Sequence, residues 1–239
     1  MTWSIIARDA SGALGVAVSS RFFAVGALCP FAKSGVGALS TQALCNPLYG
    51  AEALAALERG RAPAAIVAAL VAADAGRDQR QLHLIDATGR IGQHTGHACV
   101  DWAGHLARNG FSVAGNMLAG PEVLEQTAQR YEAEAGTPFA LRLIRALQAG
   151  EAAGGDKRGK QAAALLIYTT EAYPALDLRV DDHAEPLQEL ERLHEKSLDR
   201  YQAFVSCLPS AAHPAGITER ATIEATIERF RSKHIASHR

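Results

Sequence analysis

A threonine directly behind the start methionine, heading the apolar run Thr2-Trp-Ser-Ile-Ile-Ala-Arg-Asp9, puts two catalytic groups in one residue. Removal of Met1 would expose the Thr2 α-amine beside its own hydroxyl. The ordinary pKa of such an amine, ~7.7–8.0, suits a general base near neutral pH. The hydroxyl is a nucleophile that this base can activate toward an amide carbonyl. A retained Met1 would block the amine. Thr2 also has a structural use, as the β-branched residue that opens a strand.

Polar residues at strand ends supply the remaining candidates. Ser20 and Arg21 close the second strand of a hairpin whose first strand begins at Thr2, so the turn returns them to its neighbourhood. Ser20 is a catalytic candidate and Arg21 a substrate contact, although hydrogen bonds that merely close a strand end would use both. Thr41 and Gln42, at the exit of the third strand, carry groups that can hold a substrate amide, and Asn46 can donate to an oxyanion. Asn46-Pro47 is equally a turn starter. Asn116, ahead of Ala119-Gly120-Pro121, is a similar donor or a backbone cap.

The glycine-rich loop Gly154-Gly-Asp-Lys-Arg-Gly-Lys-Gln161 concentrates three bases and one acid. Arg158 can fork onto a substrate carboxylate, Asp156 can hold a substrate amine or fix Arg158, and Gln161 adds a substrate-binding amide. An exposed loop with an internal salt bridge would read the same way. The loop lacks the glycine spacing and the Ser or Thr after Gly-Lys that a triphosphate cradle needs. Cys99, with His94, His97 and His105 near it, invites a cysteine–histidine reading, but a small core cysteine explains it too. Asp181-Asp-His183 has metal-binding residue types, with Asp177 and Arg179 on the face of Asp181, yet adjacent strand residues point to opposite faces. Neither a metal nor a cofactor is implied.

Composition narrows the classes. The chain has 239 residues, 48% of them hydrophobic, enough for one large core. A net charge of −1 with scattered basic residues gives no surface for nucleic acid or anionic membrane. No signal-like N-terminus and no apolar run of ~18 residues is present, so the chain reads as cytoplasmic and not membrane-bound. Its four cysteines, widely spaced, read as reduced thiols. The expected partners are a small-molecule substrate and a second copy of the chain in a symmetric homodimer.

These groups must be positioned by elements whose apolar period switches between two and about 3.6. Strands are predicted at 2–9, 14–20, 35–43, 81–85, 89–94, 111–117, 161–169 and 176–181. Helices are predicted from Tyr49 to Ala73 with a break at Gly60-Arg61-Ala62-Pro63, and at 121–135, 138–149 and 185–206. Hairpins alternating with paired helices argue for an α+β fold, a four-layer αββα sandwich of two mostly antiparallel sheets. Residues 1–206 form that domain, and 207–239 read as a linker and an appended helix.

Several strings carry a resemblance. Thr2 to Asp9, Gly15-Val-Ala-Val-Ser-Ser-Arg-Phe-Phe-Ala-Val-Gly26, Thr41-Gln-Ala-Leu-Cys-Asn-Pro-Leu-Tyr-Gly50 and Gly154 to Gln161 resemble the signatures of the DUF1028 family. Ala73-Asp-Ala-Gly-Arg77, His94-Thr-Gly96, Gly115-Asn-Met-Leu118 and Leu178-Arg-Val-Asp-Asp-His183 agree with it. The family is similar to N-terminal-nucleophile hydrolases, which are αββα sandwiches. That resemblance implies Thr2 as nucleophile and Lys33, 31 residues later, as the cation that keeps the α-amine neutral by like-charge repulsion. It also implies acyl transfer on an amide or cyclic-ureide C–N bond of a small molecule. The alternative is a non-catalytic ligand-binding or assembly module on the same sandwich.

Overall fold

The computed structural model describes residues 2–237. Short turns set the strands in pairs. β1 (Thr2–Arg8) and β2 (Leu14–Ser20) meet at a turn in which the Asp9 carboxylate accepts the Ser11 and Ala13 N–H groups, each at 2.9 Å. An aspartate that bonds its own backbone two residues on fixes such a turn. β3 (Pro30–Lys33) and β4 (Gly37–Ala43) form the second hairpin. β5 (Arg80–Asp86) and β6 (Ile91–Thr95) form the third, where the Asp86 carboxylate accepts the Thr88 and Arg90 N–H groups at 2.9 and 3.0 Å. β7 (Trp102–Arg108) with β8 (Phe111–Leu118), and β9 (Ala162–Tyr168) with β10 (Leu176–Val180), complete the strands.

Helices α1 (Leu48–Glu58) and α2 (Pro63–Ala73) lie between β4 and β5, with Pro63 pre-set for a first helical turn. α3 (Glu122–Ala133) and α4 (Phe139–Ala152) lie between β8 and β9. One sheet has the order β10-β9-β2-β1-β8-β7 and the other β3-β4-β5-β6, each with antiparallel neighbours. Alternation along β4 separates two apolar layers. Leu39 packs outward with Tyr49, Ala53, Ile66 and Val67, while Ala38 packs inward with Ile6, Leu14, Val16 and Ile85. On the larger sheet Gly15 leaves room for Phe139 and Leu143 of α4. The α+β, four-layer αββα sandwich expected from the sequence is the fold observed.

Two strands were not legible, β3 and β7. Both are sheet edges with half-exposed residues, so neither carries a burial period. The helix expected over 185–206 is two, α5 (Pro186–Leu198) and α6 (Tyr201–Val205), interrupted where Lys196 Nζ meets Asp199 at 2.7 Å. α7 (Arg220–Ser237) follows. The chain forms two compact units, Met1–Leu190 and Glu191–Arg239; within the second, Arg200 of the α6 entrance pairs with Glu224 of α7 at 2.7 Å. Among the described residues no helix is long and apolar enough to cross a membrane.

Gly37, at the start of β4, has no space for a side chain, because a Cβ there would lie 2.5 Å from the Ile85 carbonyl oxygen and against Leu57 of α1. Overpacking against backbone costs about 1–3 kcal/mol. Gly37→Ala should therefore lower stability by that amount in urea unfolding at neutral pH, with the folded far-ultraviolet spectrum unchanged.

Candidate functional site

The register of the larger sheet brings Thr2 opposite Ser20 on one side and Asn116 on the other. Thr2 is only 5% exposed, and its Oγ1 lies 3.0 Å from Ser20 Oγ. Its carbonyl oxygen accepts from Asn116 Nδ2 at 3.2 Å and, across the gap between the sheets, from Gln42 Nε2 at 3.4 Å. The residue is thus gripped from both neighbouring strands and from the second sheet.

The loop Gly154 to Gln161 crosses the head of β1. On one side Gly155 O accepts from Ala119 N at 3.2 Å and Asp156 forms an antiparallel bridge with Leu118. On the other, Gln161 N donates to Ser20 O at 3.1 Å and Arg21 N donates to Asp156 Oδ2 at 3.1 Å. Leu118 already pairs with Trp102 on its β7 edge, so Asp156 occupies its β1 edge. Since Asn116 is opposite Thr2, Asp156 stands in the line of β1 two places upstream of Thr2. At ~3.4 Å per residue the interval is about 7 Å. The strand has no room to run on beyond it.

Beneath Thr2 a chain of buried hydrogen bonds has a fixed direction. Ser4 Oγ donates to Gln42 Oε1 at 2.7 Å, so it accepts from His83 Nε2 at 2.8 Å. His83 Nδ1 then accepts from Ser112 Oγ at 2.9 Å, and Ser112 accepts from Gln93 Nε2 at 2.8 Å. Gln42 Nε2 donates to Gln81 Oε1 at 2.8 Å and to the Ala114 carbonyl at 3.1 Å. Gln81 Oε1 also accepts from Asn116 Nδ2 at 3.1 Å, and its Nε2 donates to Thr95 Oγ1 and to the Gly104 and Gly115 carbonyls at 2.8–2.9 Å. Burial pushes the His83 imidazole down to about 3, with His105 adding like-charge repulsion, so it is neutral and protonated on Nε2.

Beside Asn116 a cleft of about 200 Å³ is lined by Ala43, Leu44, Ala98, Val100 and Met117, among others. Ala43 and Met117 have φ of 65° and 55°, a left-handed backbone that side chains disfavour and that recurs at functional sites. Among the described residues up to 190 the exposed large hydrophobics are Phe22, Phe23, Leu28, Leu44 and Val100 on connections and Leu48 at the start of α1, all at the end of the sheets where Thr2 lies. The adjoining loop is braced by Asp74, which accepts from Tyr49 Oη at 2.7 Å, Arg80 Nε at 2.9 Å and Asn46 Nδ2 at 3.2 Å. The Tyr49 and Arg80 bonds hold its carboxyl far below the usual carboxylate range, and burial with the Asp74 charge pushes Tyr49 up.

The model of a family described as "Family of unknown function (DUF1028)" matches residues 2–190. The chain belongs to the DUF1028 family. The crystal structure of a DUF1028 protein from Silicibacter pomeroyi is 30% identical, with a TM-score of 0.85 over 92% of this chain and 96% of that one. Anbu (ancestral beta-subunit) from Yersinia bercovieri is 12% identical, with a TM-score of 0.41 over 82% of this chain and 94% of that one, too remote to bear on function. No curated protein matches the chain.

In this DUF1028 protein Thr2, Ser20, Asn116 and Gln42 come together, and Arg21, Asp156, Arg158 and Gln161 join them through the crossing loop. Arg158 N donates to Asp156 Oδ1 at 2.7 Å, its guanidinium reaches Oδ2 at 3.4 Å, and Gln161 Nε2 donates to Asp182 at 3.1 Å. Lys33 and Asn46 do not join. Lys33 is paired with Gly37 at the far end of β4, five residues from Gln42 or about 17 Å along a strand, and forms an ion pair with Glu58. Asn46 is spent on Asp74 and on the Leu48 N–H at 3.2 Å, and Thr41 Oγ1 donates to the Asn46 carbonyl at 3.2 Å, so both brace the loop. Met1, on whose removal the Thr2 reading depends, lies outside the described residues. Cys99 meets the Arg80 carbonyl at 3.6 Å, burial pushing its thiol up, and Asp181 pairs with Arg179 at 2.9 Å. Among the described residues no cluster of His, Cys, Asp and Glu could hold a metal. Sequence reasoning missed Gln81 and His83; the alternation Gln81-Leu-His-Leu84 was their signal.

Neutral His83 makes stability pH-dependent with a definite sign. Between the depressed folded value of about 3 and the ordinary value of ~6.5 only the unfolded chain binds the proton, so stability falls as pH drops through that window. This one group accounts for about 1.4 kcal/mol per pH unit. His83→Gln keeps a donor for Ser4 but does not titrate. Urea unfolding from pH 4 to 7 should show a variant less stable at pH 7 yet shallower in its pH dependence between pH 4 and 6 by about that slope.

Proposed function

We propose that this DUF1028 protein is an amidohydrolase that opens an amide or cyclic-ureide C–N bond of a small molecule with Thr2 as its N-terminal nucleophile. One observation carries the reading: Thr2 heads a central strand whose line is closed by Asp156 just upstream, while its hydroxyl meets Ser20 and its carbonyl is doubly held. A chain that starts at Thr2 fits this head without displacing the loop.

With Met1 removed, the α-amine takes the Thr2 hydroxyl proton as Oγ1 attacks the carbonyl carbon. The amine then gives that proton to the departing nitrogen, leaving an ester on Thr2, and water releases the acid by the reverse sequence. Ser20 orients the attacking oxygen, and Asn116 and Gln42 hold the Thr2 backbone against recoil. The cleft at Ala43 and Met117, about 200 Å³, suits a small substrate. Arg21 and Arg158, exposed beside the crossing loop, are the groups that would take a substrate carboxylate. Association as a symmetric homodimer belongs to the same proposal and draws support from the exposed apolar rim; sedimentation velocity reporting only monomer at micromolar concentration would remove it.

The non-catalytic module has one observation in its favour, that Lys33 pairs with Glu58 and cannot depress the amine's pKa from there. The two readings separate in peptide mass mapping after brief exposure to a β-lactone. Hydrolysis predicts loss of Met1, an adduct confined to Thr2, and abolition of that adduct in a Thr2→Ala protein that melts like the parent. Met1 retained with no selective adduct would discard the nucleophile.

A further inference from the structure

The Thr2 reading leaves the α-amine without the cation expected to tune it, and the crossing loop presents an anion instead. The Asp156 side chain is 1% exposed, in line with β1 and two places upstream of Thr2, where the N-terminus of a processed chain would point. Its Oδ1 accepts from Arg158 N at 2.7 Å and its Oδ2 from Arg21 N at 3.1 Å, with the Arg158 guanidinium at 3.4 Å. An ionised carboxylate offers about four lone-pair sites, so these three contacts leave one. The carboxylate takes the place that a strand carbonyl would otherwise fill beside Arg21 N, in the plane of the sheet. That is the plane in which the Thr2 nitrogen lies.

We propose that Asp156 is a positioning residue for the Thr2 α-amine, receiving it as an ammonium and stabilising it in the step in which it takes the hydroxyl proton. The proposal rests on the reading of Thr2 as a processed N-terminus. No bond forms to Asp156. The proton leaves Thr2 Oγ1 for the amine nitrogen, Asp156 holds the resulting ammonium by a charge-assisted hydrogen bond, and the amine passes the proton to the leaving nitrogen. A buried carboxylate does for the ammonium what an aspartate does for the imidazolium of a serine–histidine–aspartate triad.

The charges around that amine set the sign of the effect. From the crossing loop come Asp156 and Arg158, with Lys157 exposed to solvent and Lys160 taken up by Glu151 and Glu185, and from the end of β2 comes Arg21, whose guanidinium donates to the Arg158 carbonyl. Ser20, Asn116 and Gln42 are uncharged. Cys29 and Cys45 belong to one cluster near the end of β4, where Cys45 Sγ donates to the Leu28 carbonyl at 3.6 Å; their mutual interaction pushes Cys29 up and Cys45 down. Both guanidiniums are exposed and screened, whereas the carboxylate is not. The carboxylate therefore dominates and raises the amine's pKa above the ordinary ~7.7–8.0.

Two measurements test this on the processed protein. The pH dependence of trace acetylation of the Thr2 α-amine by acetic anhydride, followed by mass spectrometry, should titrate above the ordinary ~7.7–8.0, and Asp156→Asn should bring it down by about one unit. Acylation of Thr2 by a β-lactone should show the same downward displacement of its acid limb in Asp156→Asn, with a plateau about tenfold lower. The amide introduced by Asp156→Asn would retain one acceptor for the loop, and the wild-type titration needs no variant, so misfolding does not decide the outcome. An amine that titrates at or below the ordinary value, or an acid limb unmoved in the variant, overturns the role of Asp156. If Thr2 takes no β-lactone while its amine still titrates high, the nucleophile fails and the Asp156 contact stands. A chain that keeps Met1 overturns both.

Discussion

Two buried primary amides, Gln42 and Gln81, are the constraint on which the arrangement of this protein depends. Each is fully inaccessible, and together they reach the Thr2, Ala114, Gly104 and Gly115 carbonyls of the opposite sheet. A buried amide that lost these partners would cost roughly 1–3 kcal/mol for each group left unpaired. Apolar contacts between sheets tolerate small slippage, but amide-to-carbonyl bonds do not. Sheet separation, sheet register and the height of the Thr2 carbonyl are consequently fixed by the same bonds. The tautomer of His83 follows from them, because Ser4 must donate to Gln42 and is left only its lone pairs for the imidazole.

The β1–β2 and β5–β6 hairpins were legible because aspartate and glycine turns are local chemistry, and the helices because their faces repeat. The approach of Ser20 to Thr2 followed from hairpin pairing, since strands of similar length return their ends to one another, whereas Asn116 reaches Thr2 through a long-range pairing of β8 with β1. β5 shows where local reading stops. Gln81 and His83 alternate with Leu82 and Leu84, the pattern of a strand with one face in water. Here the polar face meets the other sheet, a fact that only tertiary packing supplies. Lys33 failed for a related reason: 31 residues of sequence separation from Thr2 says nothing about direction, and β3 runs away from the head of β1.

Asn46 and Thr41 illustrate a different limit. Amide and hydroxyl groups near a predicted site serve substrates or loops equally well, and residue type does not distinguish the two. The nearby carboxylate of Asp74 decides the matter by binding Tyr49, Arg80 and Asn46 at once. Its hold on these three groups keeps the loop after β4 in the one shape that leaves Ala43 in a left-handed conformation at the cleft. Strain at the cleft is thus carried by a charge 31 residues further along the chain.

The apolar rim has a thermodynamic consequence of its own. Phe22, Phe23, Leu28, Leu44, Leu48 and Val100 keep their side chains in water at the end of the sheets where Thr2 lies, above a buried network of amides and hydroxyls. Water against such a rim is released when an apolar group covers it, and the gain is entropic near room temperature with a negative change in heat capacity. An apolar group laid over this rim would therefore be held more tightly as the protein is warmed from the cold.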